Sequence, residues 1–186
     1  MAADSVAATA GVPAPRHPGG SYRVLLVCLG NICRSPMAEV ILRAELDQAG
    51  LGGQVLVESA GTGDWHVGGP MDPRARAELS RRGYDGSQHI ARQVRSGWLP
   101  DYDLFVVMDQ RNLANVRQMA AEPPGGQAPD LADGRIRLMR SFDPAAGPDA
   151  EVPDPYHGGP AEYEETFELV QAAARGLTAR LAERLS

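Results

Sequence analysis

Cys28 and Arg34 stand in a C-x5-R arrangement within CLGNICRSP, and that pairing suits the handling of a tetrahedral oxyanion. The intervening backbone can wrap its N–H groups around such an anion, and a helix opening directly afterwards points its positive end at the same spot. Gly30 and Asn31 tolerate the left-handed geometry that the nest needs. The Arg34 guanidinium can meet two anionic oxygens with a planar fork. The same field favours the thiolate form of Cys28, which makes it a nucleophile. Ser35 can donate its hydroxyl to that sulfur and stabilise it as the leaving group of a second step. Taken by itself the spacing leaves a buried cysteine at a strand end as the plainer account, so the surrounding elements decide.

Those elements alternate. Tyr22 to Val27 (YRVLLV) is apolar and β-branched, and reads as a fully buried strand. Ser35-Pro36 signals a helix start, and Met37, Val40, Ile41 and Ala44 recur at helical spacing until Gly50. Gln54 to Val57 reads as a second strand. Asp72-Pro73 opens a helix ending at Gly83, and residues 84–100 read as irregular. Leu104 to Met108 is a third strand, followed by a helix from Gln110 to Ala121. EPPGGQAPD is a loop, and Arg135 to Met139 a fourth strand. Residues 141–160 form a long loop rich in Pro, Gly and Asp. Tyr163 to Leu185 is a long amphipathic helix. This order predicts an α/β fold: a central four-stranded parallel sheet with helices on both faces, and a phosphate-binding loop after strand 1. Ligands then bind at the carboxyl ends of the strands, where residues 28–34 lie. Residues 1–21, rich in Ala, Pro and Gly, predict a disordered extension, with the domain spanning 22–186.

Composition narrows the chemistry. The chain has 186 residues, enough for one domain with a substantial core. All 18 basic residues are Arg, which excludes every mechanism that needs a catalytic lysine. A net charge of −6 argues against nucleic-acid binding by phosphate neutralisation. Two cysteines cannot build a disulfide framework or a four-cysteine zinc site. There is no run long enough to span a membrane and no charged n-region at the start, so a cytoplasmic protein with no membrane partner is expected. The oligomeric state is not legible.

At this point several ordered blocks carry a resemblance. VCLGNICRSPMAE (Val27 to Glu39) resembles the signature of the low-molecular-weight protein tyrosine phosphatases, bacterial type. SAGTGDWHVG (Ser59 to Gly68), HIARQV (His89 to Val94), VMD (Val107 to Asp109) and DPYHG (Asp154 to Gly158) match in the same order. The resemblance covers about residues 22–185. It implies hydrolysis of phosphotyrosine through a phosphocysteine intermediate, with Cys28 as nucleophile, Arg34 binding phosphate and Asp154 as general acid and base. Alone, Asp154-Pro155 would read as a turn pair; its position in the pattern makes it the acid. The resemblance also implies that the loop residues Leu29, Gly30, Asn31, Ile32, Cys33 and Ser35 bind the substrate phosphate, with Trp65 and Tyr156 walling a deep slot for the phosphophenyl ring. Asn31 is further expected to organise the loop with Ser35, supported by Ser59 and His89, and Asp109 to contact the loop arginine. Cys33 is implied as the partner of Cys28 in a reversible disulfide. His157 stands where many relatives carry a second tyrosine. The implied partners are phosphotyrosine-containing proteins, the product is inorganic phosphate, and no cofactor or metal is required.

Alternatives of the same fold are weighed by residue type. Arsenate reductase needs further redox cysteines. Protein arginine phosphatases typically carry Thr where this chain has Ile32. A non-enzymatic phosphotyrosine-binding module would not need Cys28, Arg34 and Asp154 together. One local feature bears on specificity: Asp143 to Glu168 holds eight acidic residues and no basic one, which favours substrates with basic flanks.

Overall fold

The computed structural model describes residues 11–122 and 134–186; the loop expected over 122–130 lies almost wholly outside them. Four strands, β1 (Tyr22–Cys28), β2 (Val55–Gly61), β3 (Leu104–Val107) and β4 (Ile136–Leu138), form one parallel sheet in the order β2-β1-β3-β4. The helices are α1 (Arg34–Gln48), α2 (Pro73–Arg81), α3 (Gln110–Ala121) and α4 (Pro160–Leu185).

Both faces of β1 are covered, which is why it reads as an unbroken apolar run rather than an alternating one. The pleat sends Val24 and Leu26 to one side, against α1, α2 and α4, and Leu25 and Val27 to the other, against α3 and the segment around Leu99 and Tyr102. Strand order reverses between β1 and β3. The crossover from β1 goes to β2 on one side and the next, from β2 to β3, returns past β1 to the other, so a crevice opens at the carboxyl ends of β1 and β3. Cys28, the last residue of β1, stands at that crevice opposite Gly61 of β2.

Two departures from expectation have local causes. β2 runs to Gly61, not Val57, because its polar end, Glu58 and Ser59, pairs with Leu25 and Leu26 of β1. α4 starts at Pro160, not Tyr163, since the Glu162 carboxylate reaches back to accept the Gly159 N–H at 2.8 Å. The irregular stretch 84–100 includes the start of a short 3-10 turn, Ser96–Asp101.

The extension corrects the expectation where it is described. Residues 11–21 lie against the amino end of the sheet, with Val12 buried in the core. Arg184 of α4 donates twice to the Val12 carbonyl, Arg135 donates to that of Ala14, and the Tyr22 hydroxyl donates to that of Pro13. One buried apolar side chain and a row of arginine–carbonyl hydrogen bonds hold a segment whose composition alone offers little to bury. Residues 1–10 fall outside the described residues.

Candidate active site

The loop joining β1 to α1 closes on the Cys28 sulfur. The Asn31 N–H points at Sγ from 3.2 Å, and the Ser35 hydroxyl lies 3.0 Å from it. Asn31 is the one non-glycine residue with positive φ among the described residues, at 56°, and its own N–H turns inward to the sulfur. Gly30 does not take the expected left-handed geometry. Its lack of a side chain serves proximity instead, since a Cβ there would sit 3.0 Å from the His66 ring. Gly61 is needed for the same reason: a Cβ would meet the Leu29 carbonyl at 2.7 Å and the Asn31 nitrogen at 3.0 Å.

The Asn31 side chain ties the loop from behind. Its Nδ2 donates to Ser35 Oγ and to Ser59 Oγ, both at 2.9 Å, and its Oδ1 accepts the Arg92 N–H at 2.9 Å. His89 Nε2 lies 2.7 Å from the Asn31 carbonyl. A carbonyl only accepts, so Nε2 carries the proton. Burial pulls the His89 pKa below its ordinary value, against the hydrogen bond to Asn31. Ser59 Oγ donates onward to the Glu39 carboxylate, which is paired with Arg43. Glu39 and Arg92 complete a support that the sequence reading did not include; nothing in their spacing marks them, because each reaches the loop across the fold.

Arg34 is almost fully buried. Nη1 donates to Asp109 Oδ2 at 2.6 Å and to the Val152 carbonyl at 3.1 Å, and Nη2 lies 3.4 Å from Asp154 Oδ2. Burial opposes its charge, but the Cys28 sulfur, the hydrogen bond to Asp109 and the charge of Asp154 outweigh that and raise its pKa. The other oxygen of Asp154 accepts the Tyr156 N–H at 3.2 Å, so the carboxylate is aimed by its own loop.

A cavity of about 290 Å³ opens over the sulfur. Cys28, Leu29, Gly30, Ile32, Cys33 and Arg34 floor it, and Trp65, His66, Asp154, Tyr156 and His157 wall it. Its lining joins Cys28, Arg34 and Asp154 with both expected aromatic walls, and adds His66. Asn31 and Ser35 do not line it; their side chains are buried behind the loop and only brace it. Cys33 places its sulfur 3.5 Å from the Tyr163 hydroxyl, and both cysteines are free thiols. Trp65 folds its ring over Gly63.

Asp72 and Arg74 form a further group that spacing did not reveal. The Asp72 N–H donates to the Ile32 carbonyl, while its carboxylate takes three hydrogen bonds from Arg74. Arg74 also donates to the carbonyls of Tyr156 and Gly158 and stacks between the rings of Tyr156 and Tyr163. The loop between β1 and α1 and the loop that carries Asp154 are thereby tied together through the start of α2. Part of the acidic run is paired: Glu164 and Glu168 lie against Arg82, and Glu164 also approaches Arg81.

Residues 23–186 match the family model described as low molecular weight phosphotyrosine protein phosphatase. A low molecular weight protein-tyrosine-phosphatase of Streptomyces coelicolor is 47% identical, over 89% of this chain and 96% of that one. Low molecular weight protein-tyrosine phosphatase A of Mycobacterium tuberculosis is 42% identical, over 88% and 93%. Among solved structures, YfkJ from Bacillus subtilis superposes with a TM-score of 0.80 at 33% identity, covering 91% of this chain and all of that one. A protein tyrosine phosphatase from Entamoeba histolytica with Hepes in its active site gives 0.79 at 31%, covering 89% and 100%.

Proposed function

The chain belongs to the low molecular weight phosphotyrosine protein phosphatase family, and from that premise we propose that it hydrolyses phosphotyrosine in proteins through a phosphocysteine on Cys28. The observation that carries the assignment of residues is the cysteine sulfur at the floor of a cavity, facing an inward amide and a hydroxyl, with Arg34 and Asp154 on either hand.

In the first step the Cys28 thiolate attacks phosphorus in line. The S–P bond forms as the bond to the phenolic oxygen breaks, and protonated Asp154 gives its proton to that oxygen. The loop amides and Arg34 hold the equatorial oxygens, where charge develops. In the second step the Asp154 carboxylate takes a proton from water, the new O–P bond forms, and the S–P bond breaks. The departing thiolate is met by the Ser35 hydroxyl and the Asn31 N–H. Inorganic phosphate leaves.

Substrate preference follows from the walls. Trp65 and Tyr156 offer flat faces to a flat ring, and Ile32 offers an apolar contact where a guanidinium would want a polar one. The free Cys28 thiol that the chemistry needs fits a reducing compartment, the cytoplasm. No helix among the described residues is long and apolar enough to cross a membrane.

Turnover of p-nitrophenyl phosphate tests the reading. C28S abolishes it, and D154A slows both steps while leaving KM little changed. Phosphotyrosine peptides are turned over ahead of phosphoserine and phosphoarginine peptides. Near wild-type turnover by D154A would remove Asp154 from the mechanism. Faster release from phosphoarginine would reassign the substrate.

A further inference from the structure

Large apolar side chains are left exposed at only five places among the described residues: Leu56, Trp65, Val67, Ile90 and Tyr156. Four of the five lie on the loops around the catalytic cavity. Trp65 and Val67 are 69% and 56% exposed on the loop after β2, Tyr156 is 40% exposed on the loop of Asp154, and Ile90 is 66% exposed. Ile90 joins them through backbone pairing: Gly68 N–H donates to the Ala91 carbonyl and Ala91 N–H to that of Gly69, both at 2.8 Å. Single exposed apolar residues need no explanation, but their concentration on one rim does.

The rim is also shaped. A groove of about 380 Å³ leaves the catalytic cavity, shares Ile32, Trp65, His66 and Tyr156 with it, and continues over Val67, Pro70 and Pro73. Asp72 is the one carboxylate in its lining, and three hydrogen bonds from Arg74 already occupy it. Three of the four acids at the start of α4 have partners outside the groove, Glu164 and Glu168 with Arg82 and Glu162 with the Gly159 N–H, and none of the four lines the groove. A basic residue beside the phosphotyrosine therefore finds no free carboxylate in this groove. An apolar one meets Ile32, Trp65, Val67, Pro70 and Tyr156, with His66 and the engaged Asp72 as the polar side chains beside them.

Resting on the phosphatase reading, we infer that this groove is a second subsite, which takes an apolar side chain next to the phosphotyrosine in the substrate protein. Its continuity with the cavity identifies the occupant. A chain whose phosphophenyl ring lies between Trp65 and Tyr156 must leave the cavity across its rim, and this side of the rim is apolar and concave. Burial of a leucine- or phenylalanine-sized group there adds binding that a small aryl phosphate cannot gain.

The test compares phosphotyrosine peptides that carry Leu or Phe beside the phosphotyrosine with peptides that carry Ser or Arg there, using wild-type protein and V67D. Val67 is exposed, so the substitution does not disturb the core. The wild type prefers the apolar peptides by about tenfold in kcat/KM, largely through KM, as expected for burying one such side chain. V67D loses most of that preference while turning over p-nitrophenyl phosphate as the wild type does. Equal turnover of all the peptides by the wild type overturns the inference, and so does a preference that V67D leaves intact. A wild-type dimer that V67D converts to monomer, with peptide preference unmoved, gives the surface to a second copy and also overturns it. Failure of the wild type to hydrolyse p-nitrophenyl phosphate would overturn the phosphatase reading itself, which the peptide comparison alone would not.

Discussion

Asp109 holds Arg34 with one carboxylate oxygen and the start of α3 with the other: Arg34 Nη1 donates to Oδ2 at 2.6 Å, and the Asn112 N–H donates to Oδ1 at 2.8 Å. One side chain thus couples the orientation of the Arg34 guanidinium to the capping of a helix. Two substitutions separate these contributions. D109A removes both, costing about 1 kcal/mol for the cap and roughly 3 kcal/mol for leaving Arg34 buried without its closest partner. D109N keeps an acceptor for Asn112 and loses the charge. Both variants lose aryl phosphatase activity, by about tenfold or more. Urea unfolding distinguishes them: D109N recovers at least the capping share of the stability that D109A loses. Equal stability of the two variants would mean that the cap contributes nothing.

His89 makes the loop sensitive to acid. Burial first, with Arg92 and Arg43 adding to it, holds its pKa below the ordinary 6.5, against Asn31 and Glu39. Below that ordinary value the unfolded chain binds a proton that the folded chain still refuses. Stability contributed by neutral His89 is therefore complete above 6.5 and is lost as pH falls from there through the folded pKa. The unfolding midpoint in urea drops over this interval in the wild type and drops less in H89Q. Identical slopes in the two proteins would show that His89 does not titrate with folding.

Cys33 is the inert member of the cysteine pair. Burial pushes its thiol up to about 12, the nearby charges of Asp72, Cys28 and Asp154 add to this, and the Tyr163 hydroxyl works the other way. Alkylation needs the thiolate. At neutral pH the folded protein takes up one equivalent of iodoacetamide, on Cys28. Phosphate blocks the reaction, C28S takes up none, and unfolding exposes Cys33. Labelling of Cys33 in folded C28S at pH 7 would contradict its burial. If peroxide drives a Cys28–Cys33 disulfide, closure speeds up with rising pH, because it waits on the Cys33 thiolate.

What the sequence disclosed depended on distance along the chain. The run Tyr22–Val27, the Ser35-Pro36 start and the Gln110–Ala121 helix are each set by contiguous residues, and the structure has them within a few positions. Cys28, Arg34 and Asp154, which the structure brings to one cavity, stand out in the sequence because each lies in a short ordered block. The sequence ends β2 at Val57 because Glu58 and Ser59 are polar and only pairing with β1 makes them a strand. Glu39, Arg92 and Arg74 act across gaps of 20, 61 and 82 residues. No local pattern points along such a gap. Val12 is the converse case: a lone apolar residue in a low-complexity stretch, whose burial depends on arginines more than 120 positions away.

Arg74 offers the sharpest separation of wall from acid. Its guanidinium donates to the Tyr156 carbonyl at 2.9 Å and to the Gly158 carbonyl at 3.4 Å, lies 5.4 Å from the centre of the Tyr156 ring and 5.0 Å from that of Tyr163, and is anchored by Asp72. Asp72 in turn is bound by its N–H to Ile32 of the phosphate-binding loop. Asp154 shares the Tyr156 N–H with that wall but keeps a second anchor, Arg34, which Arg74 does not touch. R74A therefore loosens the aromatic wall more than the acid. KM for aryl phosphates rises several-fold, while kcat and the pH at which the acid limb falls change little. Phosphate esters without a ring gain no comparable penalty, because they never used the wall. R74K keeps a cation over the rings but cannot span two carbonyls and a carboxylate, so it restores only part of the KM. Steady-state kinetics on a ring-bearing and a ringless ester, over a range of pH, decide the matter. A fall in kcat with KM unchanged would mean that Arg74 positions Asp154 rather than Tyr156.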